Sequence, residues 1–351
     1  MGRARGVLQA LALVLGGLLV PLVALEVALR IAGTSRAVEL GPDFDRPDSL
    51  FVWQPPRANP WLRANPGREP FRIAVIGDSF TVGQGVRWDD AYPARLERWL
   101  NFNAGVPPVD VLVYARLGTS TRDQLRFFQE ALDEEPDLLL LGLFLNDPER
   151  HSDPMLGVWR ERMVPRAATG ALGTLTRVSR ATAWIWTRWE RFRAARAGER
   201  YYRFLYSPEN SGWQPFVEAL GIFAEGSRRA GVPLAVVIFP GMGTLGPDYP
   251  HRFAHQRLHE VLDPLEVPYL DLLPVFADKN PTRMAVLPGV DHHPSEIAHR
   301  LAAETILAWL FEEKLVPAVY RPRAREDGQH DEWRRVVERL STAPEEPGSA
   351  P

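Results

Sequence analysis

Five short apolar runs, separated from one another by segments with a helical pattern, constrain the fold of this chain more than any other feature. The apolar runs lie at residues 71–76, 109–114, 137–145, 234–239 and 267–272. The helical patterns lie at residues 91–102, 121–132, 215–230 and 294–312. Continuous apolar runs are typical of strands buried on both faces, and crossover helices join parallel strands. The alternation therefore predicts an α/β domain over residues 71–315: a three-layer α/β/α sandwich with a five-stranded parallel sheet.

The amino terminus carries an uncharged, mostly apolar run at residues 7–25, with Arg3 and Arg5 before it and Glu26 after it. As a helix, its 19 residues would span roughly 28 Å, close to the hydrocarbon thickness of a bilayer. Basic residues before such a helix favour residues 1–6 in the cytoplasm. We therefore expect a single-pass anchor in the inner (cytoplasmic) membrane, with the α/β domain on the extracytoplasmic or periplasmic side. A cleaved signal peptide is the main alternative, although no clear cleavage site follows the run.

Three further segments flank or interrupt the predicted domain. Residues 26–70 are rich in proline and polar side chains, which favours an extended tether. Aromatic residues such as Trp61 indicate that part of this tether packs on the domain. Residues 148–214 form a long, predominantly helical insertion between the third and fourth strands, and the tail at residues 316–351 is poor in apolar residues.

The insertion is basic and rich in tryptophan, a combination that suits a membrane surface or a cover over an active site. Another interpretation is favoured by the spacing of its apolar residues. Val178, Ile185, Trp189 and Phe192 recur at helical intervals, and this predicts one face that packs on the domain.

Composition excludes several classes of function. The chain has no cysteine, which removes disulfides, thiolate metal sites and cysteine nucleophiles. Its 41 basic and 44 acidic residues nearly balance, so we expect no nucleic-acid partner. His251, His255 and His259 are four residues apart, a spacing that places them on one helix face and can bind a metal ion. No carboxylate partner is evident, so a solvated helix face without a metal is favoured.

A serine lies just after the first predicted strand, in the run Gly77-Asp78-Ser79. Ligands of parallel sheets bind at the carboxyl ends of the strands, so Ser79 is placed where a nucleophile belongs. The glycine permits a tight turn, and the Ser79 N–H at the start of the next helix would point at a developing oxyanion. The structural alternative is a helix cap, the commonest use of serine or aspartate at such a junction.

Gly118 and Asn146 follow the second and third predicted strands. An unobstructed glycine N–H and an asparagine amide are both donors that can stabilise an oxyanion. Each residue by itself is also ordinary turn chemistry.

The run Asp291-His292-His293-Pro294 precedes the last predicted helix. A serine nucleophile needs a base, and the base needs an acceptor that fixes its tautomer. Asp291 and His293 are two residues apart, so a loop can bring both side chains into one pocket, with His292 as a second candidate for the base. The alternative is a polar turn that caps the helix.

Taken together and in this order, these elements resemble the SGNH (GDSL-type) hydrolase superfamily, as a membrane-anchored bacterial member. Residues 77–81 are similar to the first block of that family, with Ser79 at the nucleophile position. Gly118 and Asn146 correspond to the oxyanion positions of the second and third blocks, and His293 corresponds to the base. The resemblance covers about residues 71–312. It implies a flavodoxin-like sheet, a serine-acyl intermediate, an oxyanion hole that includes the Ser79 N–H, and no metal or cofactor.

The chain departs from the commonest family pattern in three places. That pattern has an acid three residues before the histidine, where this chain has Val290; Asp291 is the candidate acid instead. Some members have Asp-x-His-Pro-Ser-x-x-Gly-His, and here Ala298 replaces the glycine while His299 remains. The third block also lacks the usual glycine before Asn146.

The resemblance implies a serine esterase that hydrolyses an acyl ester, acetyl esters included, through Ser79, His293 and Asp291. The substrate would be an acylated carbohydrate or lipid. Two alternatives stay open: an O-acyltransferase that modifies cell-envelope polysaccharide, and a non-catalytic carbohydrate-binding assembly protein. The presence of Ser79, Asn146 and His293 together favours an enzyme.

Overall fold

The structure is a computed structural model that describes residues 2–32, 59–103, 105–287 and 291–322, with the backbone alone for residues 2–15 and 18. The chain forms two compact units. We call Met1–Arg46 with Pro154–Tyr201 the helical unit, and Pro47–Asp153 with Tyr202–Pro351 the α/β unit.

The α/β unit contains a five-stranded sheet in which every neighbouring pair of strands is parallel. Its strands are β1 (Phe71–Gly77), β2 (Val109–Ala115), β3 (Leu138–Phe144), β4 (Leu234–Phe239) and β5 (Tyr269–Asp271). A separate antiparallel pair is formed by β6 (Ala285–Leu287) and β7 (Asp291–Pro294). The apolar residues at the centres of β1, β3 and β4 are completely or almost completely buried, as expected for a sheet covered on both faces. The predicted α/β fold with a five-stranded parallel sheet is confirmed.

The helices of the described residues are numbered along the chain. They are α1 (Gly2–Ile31), α2 (Pro60–Ala64), α3 (Ser79–Val82), α4 (Tyr92–Leu100), α5 (Thr121–Leu132), α6 (Pro154–Met163), α7 (Gly170–Val178), α8 (Arg180–Leu205), α9 (Trp213–Ala230), α10 (Arg252–Leu262), α11 (Leu273–Phe276), α12 (Pro281–Met284) and α13 (Glu296–Glu312). The helical unit contains α1, α6, α7 and most of α8.

The strand order β2-β1-β3-β4-β5 reverses direction at β1. The chain moves one way from β1 to β2 and the other way from β2 to β3, so right-handed crossovers place α4 and α5 on opposite faces of the sheet. In agreement, α4 packs against α13, whereas α5 packs against α9. This is the flavodoxin-like order, in which ligands bind at the carboxyl ends of the strands beside the reversal.

The predicted anchor at residues 7–25 lies within α1, and many of its side chains lie outside the described residues. Across the part of the chain that the structure describes, no helix combines the length and the apolar character needed to cross a bilayer. The membrane anchor is therefore not confirmed. The helix continues to Ile31, beyond the predicted start of the tether at residue 26.

Most of the predicted tether and tail lies outside the described residues, namely residues 33–58 and 323–351. The described end of the tether packs on the α/β unit, because the Asn59 amide donates to Glu97 and Asp110 at 2.8 and 3.0 Å. The first residues after 315 also pack, and Tyr320 is buried. The domain boundaries of the sequence analysis stay predictions.

The prediction that one apolar face of the insertion packs on the domain is wrong. Val178, Ile185, Trp189 and Phe192 are 62, 44, 56 and 53% exposed. Spacing correctly placed Ile185, Trp189 and Phe192 on one side of a helix, but that side faces outward.

Candidate active site

Ser79 lies at a sharp turn between β1 and α3. The strand ends at Gly77, and Asp78 caps the helix by accepting the Phe80 N–H at 2.9 Å. A Cβ atom at residue 77 would lie 2.1 Å from the Thr81 hydroxyl oxygen, so only glycine fits where the helix folds back on the strand. The sequence thus places the serine at the carboxyl end of the strand where the sheet order reverses.

A chain of hydrogen bonds links Ser79, His293 and Asp291. Nε2 of His293 lies 2.9 Å from the Ser79 hydroxyl oxygen, and Nδ1 lies 2.5 Å from Oδ1 of Asp291. The same carboxylate oxygen accepts the His293 backbone N–H at 3.1 Å. Asp291 is buried, so its orientation is fixed while the imidazole faces the serine. The structure brings these three predicted residues together.

The segment around β7 holds His293 in place. Ser295 caps α13 by accepting the Ala298 N–H at 3.3 Å, and its hydroxyl donates to the Arg283 carbonyl at 2.7 Å. Antiparallel pairing with β6 fixes the other side of the segment. Neighbouring side chains alternate in direction along a strand, and it is His293, not His292, that contacts Ser79.

Gly118 and Asn146 follow the two strands that flank β1 in the sheet, β2 and β3. Gly118 has a φ of +66°, a conformation that glycine adopts without strain, and it is exposed. Within the described residues, neither the Gly118 N–H nor the Asn146 side chain has a hydrogen-bond partner. Both residues therefore follow strands adjacent to the one that precedes Ser79, although no hydrogen bond joins them to Ser79.

Asp147 fixes the turn that presents Asn146. Its carboxylate accepts the Phe144 N–H at 2.7 Å and the Gln124 amide at 3.3 Å, and it is 1% exposed. Burial raises the pKa of Asp147 well above 3.8, and the nearby Asp78 carboxyl raises it further. Asp147 was not among the predicted site residues, and its place beside Asn146 at the end of a predicted strand was the only local signal for it.

Asp78 is a second buried carboxyl group beside the serine. Burial raises its pKa from 3.8 to about 6, against the opposing effects of the Phe80 N–H and of His293. Sequence reasoning treated Asp78 only as a cap. Its electrostatic environment depends on residues far away in the chain, so no local pattern could have predicted this shift.

His299 supports the site without reaching it. The imidazole is completely buried, and its Nδ1 accepts the Tyr92 N–H at 3.3 Å. Burial lowers the pKa of His299 to about 3, so the ring is neutral at physiological pH. It therefore packs α13 against the start of α4.

The other histidine group of the sequence analysis is not a solvated helix face. His255 on α10 is 2% exposed, and its Nδ1 lies 2.9 Å from Oδ1 of Asp271 at the end of β5. His259 lies 2.9 Å from the other oxygen of the same carboxylate, and His251 is also buried. The carboxylate partner missing from the sequence analysis comes from a different element. Among the described residues, no group of three or more His, Asp or Glu side chains is arranged to hold a metal ion.

Comparison with known proteins identifies a family for the part of the chain that contains these residues. The sequence profile of the GDSL-like lipase/acylhydrolase family matches residues 75–301, which contain Ser79, Gly118, Asn146, Asp291 and His293. No curated protein sequence matches the chain.

Three solved structures are similar to this chain at low sequence identity. An acetylxylan esterase from Geobacillus stearothermophilus is 14% identical, with 74% of this chain and 98% of that chain covered and a TM-score of 0.44. A lipase/acylhydrolase from Enterococcus faecalis is 14% identical, with 72% and 99% covered and a TM-score of 0.41. A psychrotrophic esterase from a Pseudoalteromonas species is 13% identical, with 70% and 98% covered and a TM-score of 0.41.

Proposed function

This chain belongs to the GDSL-like lipase/acylhydrolase family, and we propose that it hydrolyses a carboxylic ester through Ser79, His293 and Asp291. The observation that carries the proposal is the hydrogen-bonded chain from the serine through the imidazole to the buried carboxylate. A serine hydroxyl is a weak nucleophile unless a positioned base takes its proton, and this arrangement supplies that base.

The reaction follows from the geometry in two stages. The Ser79 oxygen attacks the ester carbonyl carbon while its proton passes to Nε2 of His293, and Asp291 stabilises the imidazolium that forms. The tetrahedral intermediate collapses, and the alcohol leaves with the proton from His293. Water then attacks the acyl-serine with His293 as base again, which releases the carboxylic acid and restores the Ser79 hydroxyl.

The oxyanion of each tetrahedral intermediate needs donors placed before the reaction begins. We assign this role to the Ser79 and Gly118 N–H groups and the Asn146 side-chain amide. Their positions after three adjacent strands support the assignment, as does the absence of a protein partner for the Gly118 and Asn146 donors within the described residues. Asp147 acts through Asn146, since it fixes the turn on which that amide lies.

Covalent labelling tests the nucleophile. The full chain is treated with a fluorophosphonate probe, and the adduct is mapped by mass spectrometry. We expect one adduct at Ser79 that is absent from Ser79→Ala. A folded wild-type protein that forms no adduct would contradict an activated serine.

Product analysis tests the reaction class. With an acetyl ester and a carbohydrate acceptor both present, we expect free acetate and no acetylated carbohydrate. The proposed natural substrate is an acylated carbohydrate or lipid. Transfer of the acetyl group to the acceptor as the main product would identify an acyltransferase instead.

The location of the site in the cell belongs to the same proposal. We place the α/β unit on the extracytoplasmic side of the inner membrane, with residues 7–25 as its anchor. The apolar run and the two arginines before it, Arg3 and Arg5, support this location. Washing membranes with alkaline carbonate should leave the full-length protein in the pellet. Release of the full-length protein into the supernatant would overturn the anchor.

A further inference from the structure

Helix α8 turns its aromatic side outward. Between residues 183 and 197, the positions that face inward are small or charged: Ala183, Glu190 and Ala197, spaced by seven residues, are 6, 4 and 9% exposed. On the opposite side, Trp184 and Trp189 are 40 and 56% exposed. A helix of a water-soluble domain normally buries its apolar stripe, so this arrangement is the reverse of the usual one.

Hydrogen bonds from the inner side of α8 to residues 162–166 fix this orientation. Glu190 lies 2.7 Å from the Arg193 guanidinium and accepts the Arg166 N–H at 2.8 Å. Arg193 also donates to the carbonyl oxygens of Arg162 and Val164 at 2.7 and 2.8 Å. Rotation of α8 about its axis would break the hydrogen bonds to residues 162–166, so these bonds hold the aromatic residues on the outer side.

Among the described residues, exposed apolar side chains are concentrated in the helical unit, in the described part of α1 and in residues 154–201. Ten large apolar side chains of residues 154–201 are exposed: Met155, Val158, Val164, Leu172, Leu175, Val178, Trp184, Ile185, Trp189 and Phe192. The described part of the α/β unit, which is much longer, exposes only Trp88, Leu117, Ile222, Leu287 and Val319. Patches of this kind mark a surface that contacts another apolar phase or molecule.

The same segment is strongly basic. Residues 154–201 contain ten arginines and three glutamates, whereas the whole chain has a formal charge of −3. Such a surface attracts an anionic partner, and it disfavours a second copy of itself because two like-charged faces repel.

Arginine and aromatic side chains are paired on the outer side of α8. The Arg188 guanidinium lies 4.5 Å from the ring centre of Trp184, and that of Arg196 lies 5.3 Å from the ring centre of Phe192. Tryptophan and arginine together are typical of helices that lie in the headgroup region of a bilayer, where the rings reach the acyl chains and the cations meet lipid phosphates.

We propose that the helical unit binds the surface of an anionic phospholipid bilayer through the outer side of α8. We call this surface the aromatic–arginine face and define it by Trp184, Ile185, Arg188, Trp189, Arg191, Phe192 and Arg196. Phosphate groups pair with the arginines, and the aromatic rings enter the boundary between headgroups and acyl chains. This contact is separate from any span by residues 7–25, because it depends on lipid charge and lies on another helix.

The absence of cysteine allows a local test in the full chain. A nitrobenzoxadiazole label is attached to Phe192→Cys and, as a control, to Ile222→Cys, a residue of similar exposure on α9 of the α/β unit (53 and 51%). With phosphatidylglycerol–phosphatidylethanolamine vesicles, we expect the emission of the label at residue 192 to shift to the blue and that at residue 222 to stay unchanged. An equal shift with phosphatidylcholine vesicles, or no shift with either, would overturn the proposal.

Charge variants test the second component of binding. Arg188→Gln with Arg191→Gln should weaken partitioning into the phosphatidylglycerol vesicles by about fivefold for each arginine. The matched control is Arg228→Gln with Arg229→Gln, which removes the same charge from an exposed part of α9 and should change partitioning little. Equal losses for both pairs would show that the overall charge, and not this face, directs binding. A blue shift at residue 192 without vesicles, together with self-association in sedimentation, would identify a second copy as the occupant and overturn the proposal.

Discussion

The α/β unit contains two pairs of hydrogen-bonded aspartate and histidine side chains. Asp291 pairs with His293 on β7, at 2.5 Å, and Asp271 at the end of β5 pairs with His255 on α10, at 2.9 Å. Both carboxylates contact Nδ1 of the imidazole, so the two pairs differ little in their local chemistry. What surrounds each pair is different.

The two pairs differ in the group that lies next to Nε2, the imidazole nitrogen that does not contact the aspartate. The His293 side chain is 23% exposed, and its Nε2 faces the Ser79 hydroxyl. The His255 side chain is 3% exposed, and its Nε2 faces the Tyr249 hydroxyl at 3.3 Å, which itself accepts the Gly241 N–H. The first pair faces the hydroxyl group of Ser79, whereas the second fixes the loop after β4. The same kind of aspartate–histidine pair can therefore serve different roles, depending on the group that the far nitrogen of its imidazole faces.

The largest expected difference between the pairs concerns the histidines. His293→Ala should lower the turnover of an acetyl ester by about 10⁵- to 10⁶-fold, since the base is lost. His255→Ala should lower stability by about 2–4 kcal/mol, because Asp271 and Tyr249 lose a buried partner, and should leave turnover within a few-fold. Steady-state kinetics and urea unfolding of both variants measure these effects. A large loss of turnover in folded His255→Ala would contradict a purely structural role for the Asp271–His255 pair.

As for the histidines, substitution of Asp291 should mainly reduce turnover, whereas substitution of Asp271 should mainly reduce stability. Asp291→Asn should reduce turnover by about 10⁴-fold, because the amide no longer favours the required tautomer or stabilises the imidazolium. Asp271→Asn should cost about 1–3 kcal/mol of stability by weakening the bonds to His255 and His259, with turnover nearly unchanged. Full activity in both Asp291→Asn and Asp291→Ala would remove Asp291 from the mechanism.

A smaller effect is expected for the oxyanion donors. Asn146→Ala should reduce turnover by about 10²- to 10³-fold with little change in stability, since its side chain has no partner within the described residues. The matched control is Asn210→Ala. Asn210 is buried and donates to the carbonyl oxygens of Pro148 and Leu205, so its loss should affect unfolding more than turnover. If turnover in Asn146→Ala matched the wild type, the amide would not be an oxyanion donor.

The smallest expected effects are opposite pH dependences of stability. Burial raises the pKa of Asp271, but hydrogen bonds and charges from His255 and His259 outweigh it, so its folded-state pKa is below 3.8. Its contribution to stability is present above the unfolded pKa and is lost as the pH falls through the folded one. Burial raises the pKa of Asp78 to about 6, so its contribution is present below 3.8 and is lost as the pH rises through about 6.

Asparagine variants separate these two dependences. Asp78→Asn keeps a capping side chain and should gain about 3 kcal/mol over the wild type at pH 8, with little difference at pH 4. Asp271→Asn should be less stable than the wild type at pH 7, and the difference should shrink below pH 4. Urea unfolding at several pH values measures both. Parallel pH curves for the two variants would contradict the different environments of the carboxyl groups.

The sequence predicted the sheet and the positions of Ser79, His293 and Asp291, whose catalytic roles stay predictions. These features are local: buried strands are continuous apolar runs, and the polar residues directly follow them. The error at α8 has a different origin. Periodicity shows that Ile185, Trp189 and Phe192 share a side of the helix, but it does not show whether that side faces the protein or its surroundings.

The sequence by itself determined the α/β class, the order of the strands along the chain and the residue types at each strand end. Local spacing and backbone preferences are sufficient for those features. Only the tertiary structure decided that His255 is buried on Asp271, that the pKa of Asp78 rises to about 6 and that α8 turns its tryptophans outward. Burial and electrostatic environment depend on neighbours that are distant in the chain, and those neighbours are known only once the chain has folded.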